Sequence, residues 1–173
     1  MKKTKKLAVC AVLAAFGVAI LYVGSFMEIL DLSVSLAASL IVLFCVEEFG
    51  NKSALSVYAV ISTLSFILLP QKWIAAYFVF FFGIMPITKN IYEKAGKVIG
   101  WGLKLLTFNL EAFGFYFVAK NLEFFAESES SLPYLLAMLA LANGVFVLAD
   151  VLYTKLCLIY MARFRKRIKR FLK

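Results

Sequence analysis

The sequence predicts an all-α polytopic integral membrane protein, a six-helix transmembrane bundle with both termini cytoplasmic. Three observations predict it. The 173 residues are 64% hydrophobic, with a mean hydropathy of +0.91, whereas soluble domains average roughly 45–50% apolar. Such a chain lacks the polar groups to cover a water-facing surface, and the bilayer is its natural solvent. Its apolar residues gather into six runs. Its basic residues gather at alternate connections and at both ends, the pattern that sets orientation in a membrane.

Taken in order, the runs cover Leu7–Phe26, Leu30–Val46, Ala54–Leu69, Trp73–Thr88, Ile99–Ala119 and Leu132–Met161. A helix needs about 20 residues to cross the hydrocarbon core. The third and fourth runs, at 16 residues each, are read as tilted spans or as a re-entrant hairpin; either returns the chain to the same side. The opening "MKKTKK" has the charge of a signal-peptide n-region. The chain stays apolar beyond it, with no small-residue cleavage site leading into a polar domain, so the first run is read as a retained span. "GNKS" (Gly50–Ser53) supplies an inner turn. "AESESSLP" (Ala126–Pro133) supplies an outer loop, with Ser131 capping the sixth helix and Pro133 in its first turn. Pro86 is expected to break the fourth helix near its inner end.

With the amino terminus inside, the inner regions hold fifteen Lys and Arg residues and the outer loops only two, Lys72 and Lys120. Acids collect outside instead, at Glu28, Asp31, Glu123, Glu127 and Glu129, a face that disfavours anionic solutes. Residues 1–162 thus form the membrane domain and 163–173 a cytoplasmic tail. In the tail, "RFRKRIKRFLK", the apolar Phe164, Ile168, Phe171 and Leu172 share one helical stripe. Arg163, Arg165, Lys166, Arg167, Lys169 and Arg170 occupy the other faces. This is a basic amphipathic helix for the anionic inner leaflet, where each base contributes about 1 kcal/mol. A tail tethered to the membrane meets lipid rather than nucleic acid.

Histidine is absent, which removes the commonest metal ligand and neutral-pH base. Cys10, Cys45 and Cys157 lie in apolar runs without CxxC spacing and read as packed thiols. The chain holds no HExxH, GxSxG or GxxxxGK. No catalytic residue, metal or cofactor is therefore expected, and the chain is not expected to be an enzyme.

In the first run, Ala11, Ala15 and Ala19 recur every four residues and share one helix face. Small residues let another helix approach closely, either within the bundle or from a second protein. With this pattern, its length and its six runs, the chain resembles the substrate-binding S components of energy-coupling factor (ECF) transporters. Those are six-helix bacterial membrane proteins whose first helix carries an Ala-x-x-x-Ala pattern. The resemblance implies that Ala11, Ala15 and Ala19 dock on a transmembrane coupling subunit that works with separate ATPases. It also implies a solute pocket toward the outer ends of the later helices.

Ionisable groups inside the runs stand out, because an acid at the bilayer centre costs roughly 2.5–3.5 kcal/mol on insertion scales and so faces protein or water. Lys104, Thr107, Glu111 and Gly114 form one stripe of the fifth run. Asn143, Val147, Asp150 and Thr154 form one of the sixth. Facing each other antiparallel, the stripes place Lys104 nearest Asp150, as an intramembrane ion pair, and Glu111 nearest Asn143. Two readings follow. One is a polar seam that fixes helix register. The other is a solute site or proton relay at Asn109, Glu111 and Asn143, suited to an uncharged or cationic ligand. Trp73 and Tyr77 fit an interfacial aromatic belt or a stacking wall for a flat ligand. The function expected is that of a membrane-embedded solute-binding subunit of a nutrient transporter; the alternative is a non-catalytic structural or assembly protein of the bacterial cell envelope.

Overall fold

The computed structural model describes residues 3–27, 30–121 and 132–165. Ser131, the acids Glu28, Glu123, Glu127 and Glu129, and the tail bases Lys166, Arg167, Lys169 and Arg170 lie outside the described residues. So does the apolar tail stripe beyond Phe164.

Long apolar stretches in lipid must satisfy their own backbone, and helices do so within one segment. The described residues form six long helices and no strand. They are α1 (Lys3–Gly24), α2 (Asp31–Phe49), α3 (Asn51–Leu68), α4 (Lys72–Tyr92), α5 (Lys97–Asn121) and α6 (Leu132–Ile159). A wide π-turn, Tyr160–Phe164, continues α6. α1, α2, α3, α4 and α6 are long and apolar enough to cross a membrane. α5 matches them at 25 residues but spreads Lys97, Lys104, Glu111 and Lys120 along its length. α3 and α4 reach 18 and 21 residues, because polar residues at the ends of both runs continue the helix. Eighteen residues rise about 27 Å.

The turns follow from local chemistry. Gly50 and Gly96 join α2 to α3 and α4 to α5 with φ of 81° and 98°, values that L side chains adopt only under strain. Pro86 lacks an N–H and its ring crowds the carbonyl four residues back. α4 accordingly relaxes into a π-turn at Phe78–Phe82, breaks at Gly83 and Ile84, and resumes with Pro86 in its first turn. The Val79 carbonyl in that π-turn accepts a hydrogen bond from Tyr58 Oη of α3 at 2.8 Å.

Cross-helix bonds give the directions. Lys6 of α1 donates to the Phe49 carbonyl at the end of α2, at 3.0 Å. Asn90 near the end of α4 donates to Asn51 at the start of α3. Lys72 at the start of α4 donates to the Phe66 and Leu69 carbonyls where α3 ends. Each lysine thus places positive charge at a helix carboxyl end. Arg165, beyond α6, lies 3.3 Å from Glu48 of α2, so α6 finishes at the end of the bundle where α1 starts. That end is called the basic end below.

Two apolar cores share their inner helices. Leu21, Val42, Ile61, Ile74 and Phe78 join α1, α2, α3 and α4. Leu43, Phe82, Phe108, Phe146 and Tyr153 join α2, α4, α5 and α6. α2 is packed from both sides. Its Ser35 donates to the Ile74 carbonyl, and its Ser39 hydroxyl pairs with the fully buried Tyr153 hydroxyl.

Candidate functional site: a buried charge cluster beside a polar cleft

α5 packs antiparallel against both α4 and α6. Phe108 stacks on Phe146 and touches Phe81, and Phe115 stacks on Tyr77. This register brings four charged side chains together toward the basic end. Lys104 Nζ of α5 lies 3.1 Å from Asp150 Oδ1 of α6. Lys89 Nζ of α4 lies 2.7 Å from the same oxygen and 2.7 Å from Thr154 Oγ1. Both ammoniums also reach Glu93 Oε1, at 3.1 and 3.2 Å. Lys89, Lys104 and Asp150 are buried, while Glu93 is 52% exposed. Two cations and two anions balance. Burying a charge away from water is costly unless it is paired and its hydrogen bonds are filled, and this cluster meets both conditions while tying three helices together.

Above the cluster lies a small cleft lined by Met85, Thr88, Lys89, Lys104, Thr107, Glu111, Phe146 and Asp150. Its volume of about 10 Å³ is the space of about one water molecule. Glu111 is half-buried there and carries no hydrogen bond or ion pair among the described residues. Asn143 instead exchanges two amide hydrogen bonds with Asn109, at 3.1 and 3.2 Å. Each amide also donates to the carbonyl four residues before it, Leu105 and Leu139. Glu111 has the depth of Asn143 but not the face. Two residues along a helix turn a side chain about 200°, so Asn109 looks at α6 while Glu111 looks toward α4.

The aromatic candidates sit farther from the basic end. Trp73, Tyr77 and Phe115 form a mutual cluster with centroids 5.7–6.2 Å apart. The rings of Phe80 and Phe81 also pack on Phe115. On α1, Ala11, Ala15 and Ala19 all face outward, and the bundle buries Cys10, Ala14, Gly17, Val18 and Leu21 instead. Arg163 is exposed, and Arg165 pairs with Glu48, which also accepts from Tyr160 at 3.1 Å.

Sequence reasoning missed Lys89, one of the fifteen bases it counted on the inner side, and with it Glu93. The signal was present in "KNIYE", whose Lys89 and Glu93 have the i, i+4 spacing of an ion pair on a helix. It also passed over Glu47 and Glu48 at the end of α2, which hold Cys157, Tyr160 and Arg165. Comparison of the chain with protein-family models, with curated proteins and with solved structures returned no match.

Proposed function

We propose that this chain is a six-span protein of the bacterial plasma membrane with both termini in the cytoplasm. It serves as the solute-binding subunit of a multi-subunit nutrient transporter, as its resemblance to ECF S components implies. The observation that carries the reading is the outward alanine face of α1. Ala11, Ala15 and Ala19 point away from both cores, so the helix offers a shallow surface on which a second membrane protein can seat closely. The coupling subunit and the ATPases are then separate chains, and the cargo is a small uncharged or cationic solute. The solute-contact candidates are Asn109, Glu111, Asn143, Trp73 and Tyr77. The tail bases Arg163, Arg165, Lys166, Arg167, Lys169 and Arg170 hold the basic end against the anionic leaflet.

Ala15→Leu adds bulk at an exposed position and leaves the core alone. It is expected to abolish co-purification with the coupling subunit while the helical circular dichroism and elution volume stay those of the parent chain. Undiminished co-purification counts against the docking face.

A structural or assembly role in the cell envelope is the second reading. The mutual packing of Trp73, Tyr77 and Phe115 favours it, because these rings fill the region where a solute would sit. Native mass spectrometry of the purified chain separates the two: a bound small molecule supports the transporter subunit, and a bare chain supports the scaffold.

A further inference from the structure

The cleft beside Glu111 has an unusual balance of donors and acceptors. Lys89 Nζ faces Asp150 Oδ1, the Asp150 carbonyl, Thr154 Oγ1 and Glu93 Oε1. Those are four acceptors for three hydrogens. Lys104 Nζ has Asp150 Oδ1, Asp150 Oδ2 and Glu93 Oε1. Neither ammonium has a hydrogen left for Glu111. The Thr88 hydroxyl donates to the Ile84 or Met85 carbonyl, and the Thr107 hydroxyl to the Leu103 or Lys104 carbonyl. Both therefore turn lone pairs, not hydrogens, toward the space between them. The lining is rich in acceptors and its donors are already used.

Charge gives the same result. Lys89 and Lys104 are neutralised by Asp150 and Glu93, so Glu111 is one acid more than the cluster balances. The ionisable groups that share its cleft are Lys89 on α4, Lys104 on α5 and Asp150 on α6. Glu93, just past the end of α4, reaches both lysines, and Tyr58 on α3 is near enough to interact electrostatically. An ionised Glu111 would stand as an unmatched charge in an apolar bundle, facing lone pairs. A single proton removes both faults. It cancels the charge, and it supplies an O–H that can donate to Thr107, one turn back on α5, or to a water in the cleft.

We propose that Glu111 is a proton-binding site, loaded and unloaded through the water-sized cleft that it shares with Thr88, Thr107 and the Lys89–Lys104–Asp150 cluster. Loading transfers a proton from a solvent hydronium ion to a Glu111 carboxylate oxygen. One O–H bond breaks, one forms, and no electrons change hands. The half-exposed Glu93 stands over the two lysines and marks the side from which the proton enters, the basic end. Glu111 is also a solute-contact candidate, but its protonation requires no bound solute, so this site survives the failure of that reading.

A hydrophobic carbodiimide tests it, because such a reagent adds to a protonated carboxyl within a membrane protein and not to a carboxylate. The full chain in lipid nanodiscs is treated with dicyclohexylcarbodiimide over a pH series, and the adduct is mapped by tandem mass spectrometry. The expected result is an adduct on Glu111 that decreases as the pH is raised, is lost in Glu111→Gln, and is the same in sodium and potassium chloride. Because the adduct is mapped in the unaltered chain, the result stands even where Glu111→Gln fails to fold. Absence of an adduct on Glu111 at acidic and neutral pH overturns the proposal, as does labelling that ignores pH. Protection by sodium at fixed pH also overturns it, assigning the cleft to a metal cation instead.

Discussion

Asp150 is the residue on which the interior charges turn. It is the buried acid within reach of both Lys89 and Lys104. Asp150→Asn leaves two ammoniums sharing the half-exposed Glu93, and removal of one partner from a buried pair costs about 3–5 kcal/mol. Adding Lys104→Met restores the balance of charge. The double variant is therefore expected to be more stable than Asp150→Asn alone, an interaction that a double-mutant cycle of denaturant unfolding in micelles measures directly. The Lys104–Asp150 contact was legible in the sequence because two stripes on consecutive antiparallel helices fix depth by counting residues. The partner of Asn143 was not, because counting gives depth without azimuth. Glu111 and Asn109 differ by two residues in depth but by more than half a turn in direction. The pairing of Lys89 with Glu93 had a signal in its spacing, but its burial against Asp150 did not. A lysine at the end of an apolar run reads as an interfacial residue, and only the packing of α5 and α6 beside α4 converts it into a buried one.

At the scale of the element, α2 and α4 carry the architecture. α2 buries Ser35, Ala38, Ser39, Val42, Leu43, Cys45 and Val46 on one face, and its half-buried Leu36, Leu40, Ile41 and Phe44 pack against the two cores from the flanks. A helix packed from two sides shows little amphipathic period, so its central place could not be read from the sequence, although its existence could. α4 is bent by its own composition, through Pro86 and the π-turn that precedes it. Its joint with α5 is equally local. A Cβ at Gly100 would lie 2.7 Å from the Tyr92 carbonyl oxygen, an atom of the backbone that cannot swing aside. Gly100→Ala is expected to destabilise by about 1–3 kcal/mol through overpacking. It should loosen the approach of Lys104 to Glu93, seen as a lower unfolding midpoint and faster amide exchange at the start of α5.

At the scale of the whole molecule, the sequence and the structure agree on an all-helical chain with enough apolar helices for several membrane crossings. Hydropathy finds spans well because lipid leaves the backbone few alternatives. α5 is the exception, with four charges along its length. One stripe of it, with Lys104, Phe108 and Phe115, packs against α4 and α6, while Leu106, Leu110, Phe113 and Phe117 face outward. Reporter fusions after Lys94 and after Phe164 are expected to be active in the cytoplasm, and one at Lys120 on the far side. A cytoplasmic signal at Lys120 would mean that α5 does not cross. The link between Lys89 and Asp150 also bears on how the protein is made. The two residues are 61 positions apart in the chain, which a ribosome adding about 5–20 residues per second takes several seconds to bridge. Lys89 is therefore made before any of α6, which begins at Leu132. Glu93, four residues on, emerges almost together with Lys89 and lies 3.1 Å from it in the finished bundle. Of the two acids that Lys89 pairs with, Glu93 is therefore made with it and Asp150 seconds later.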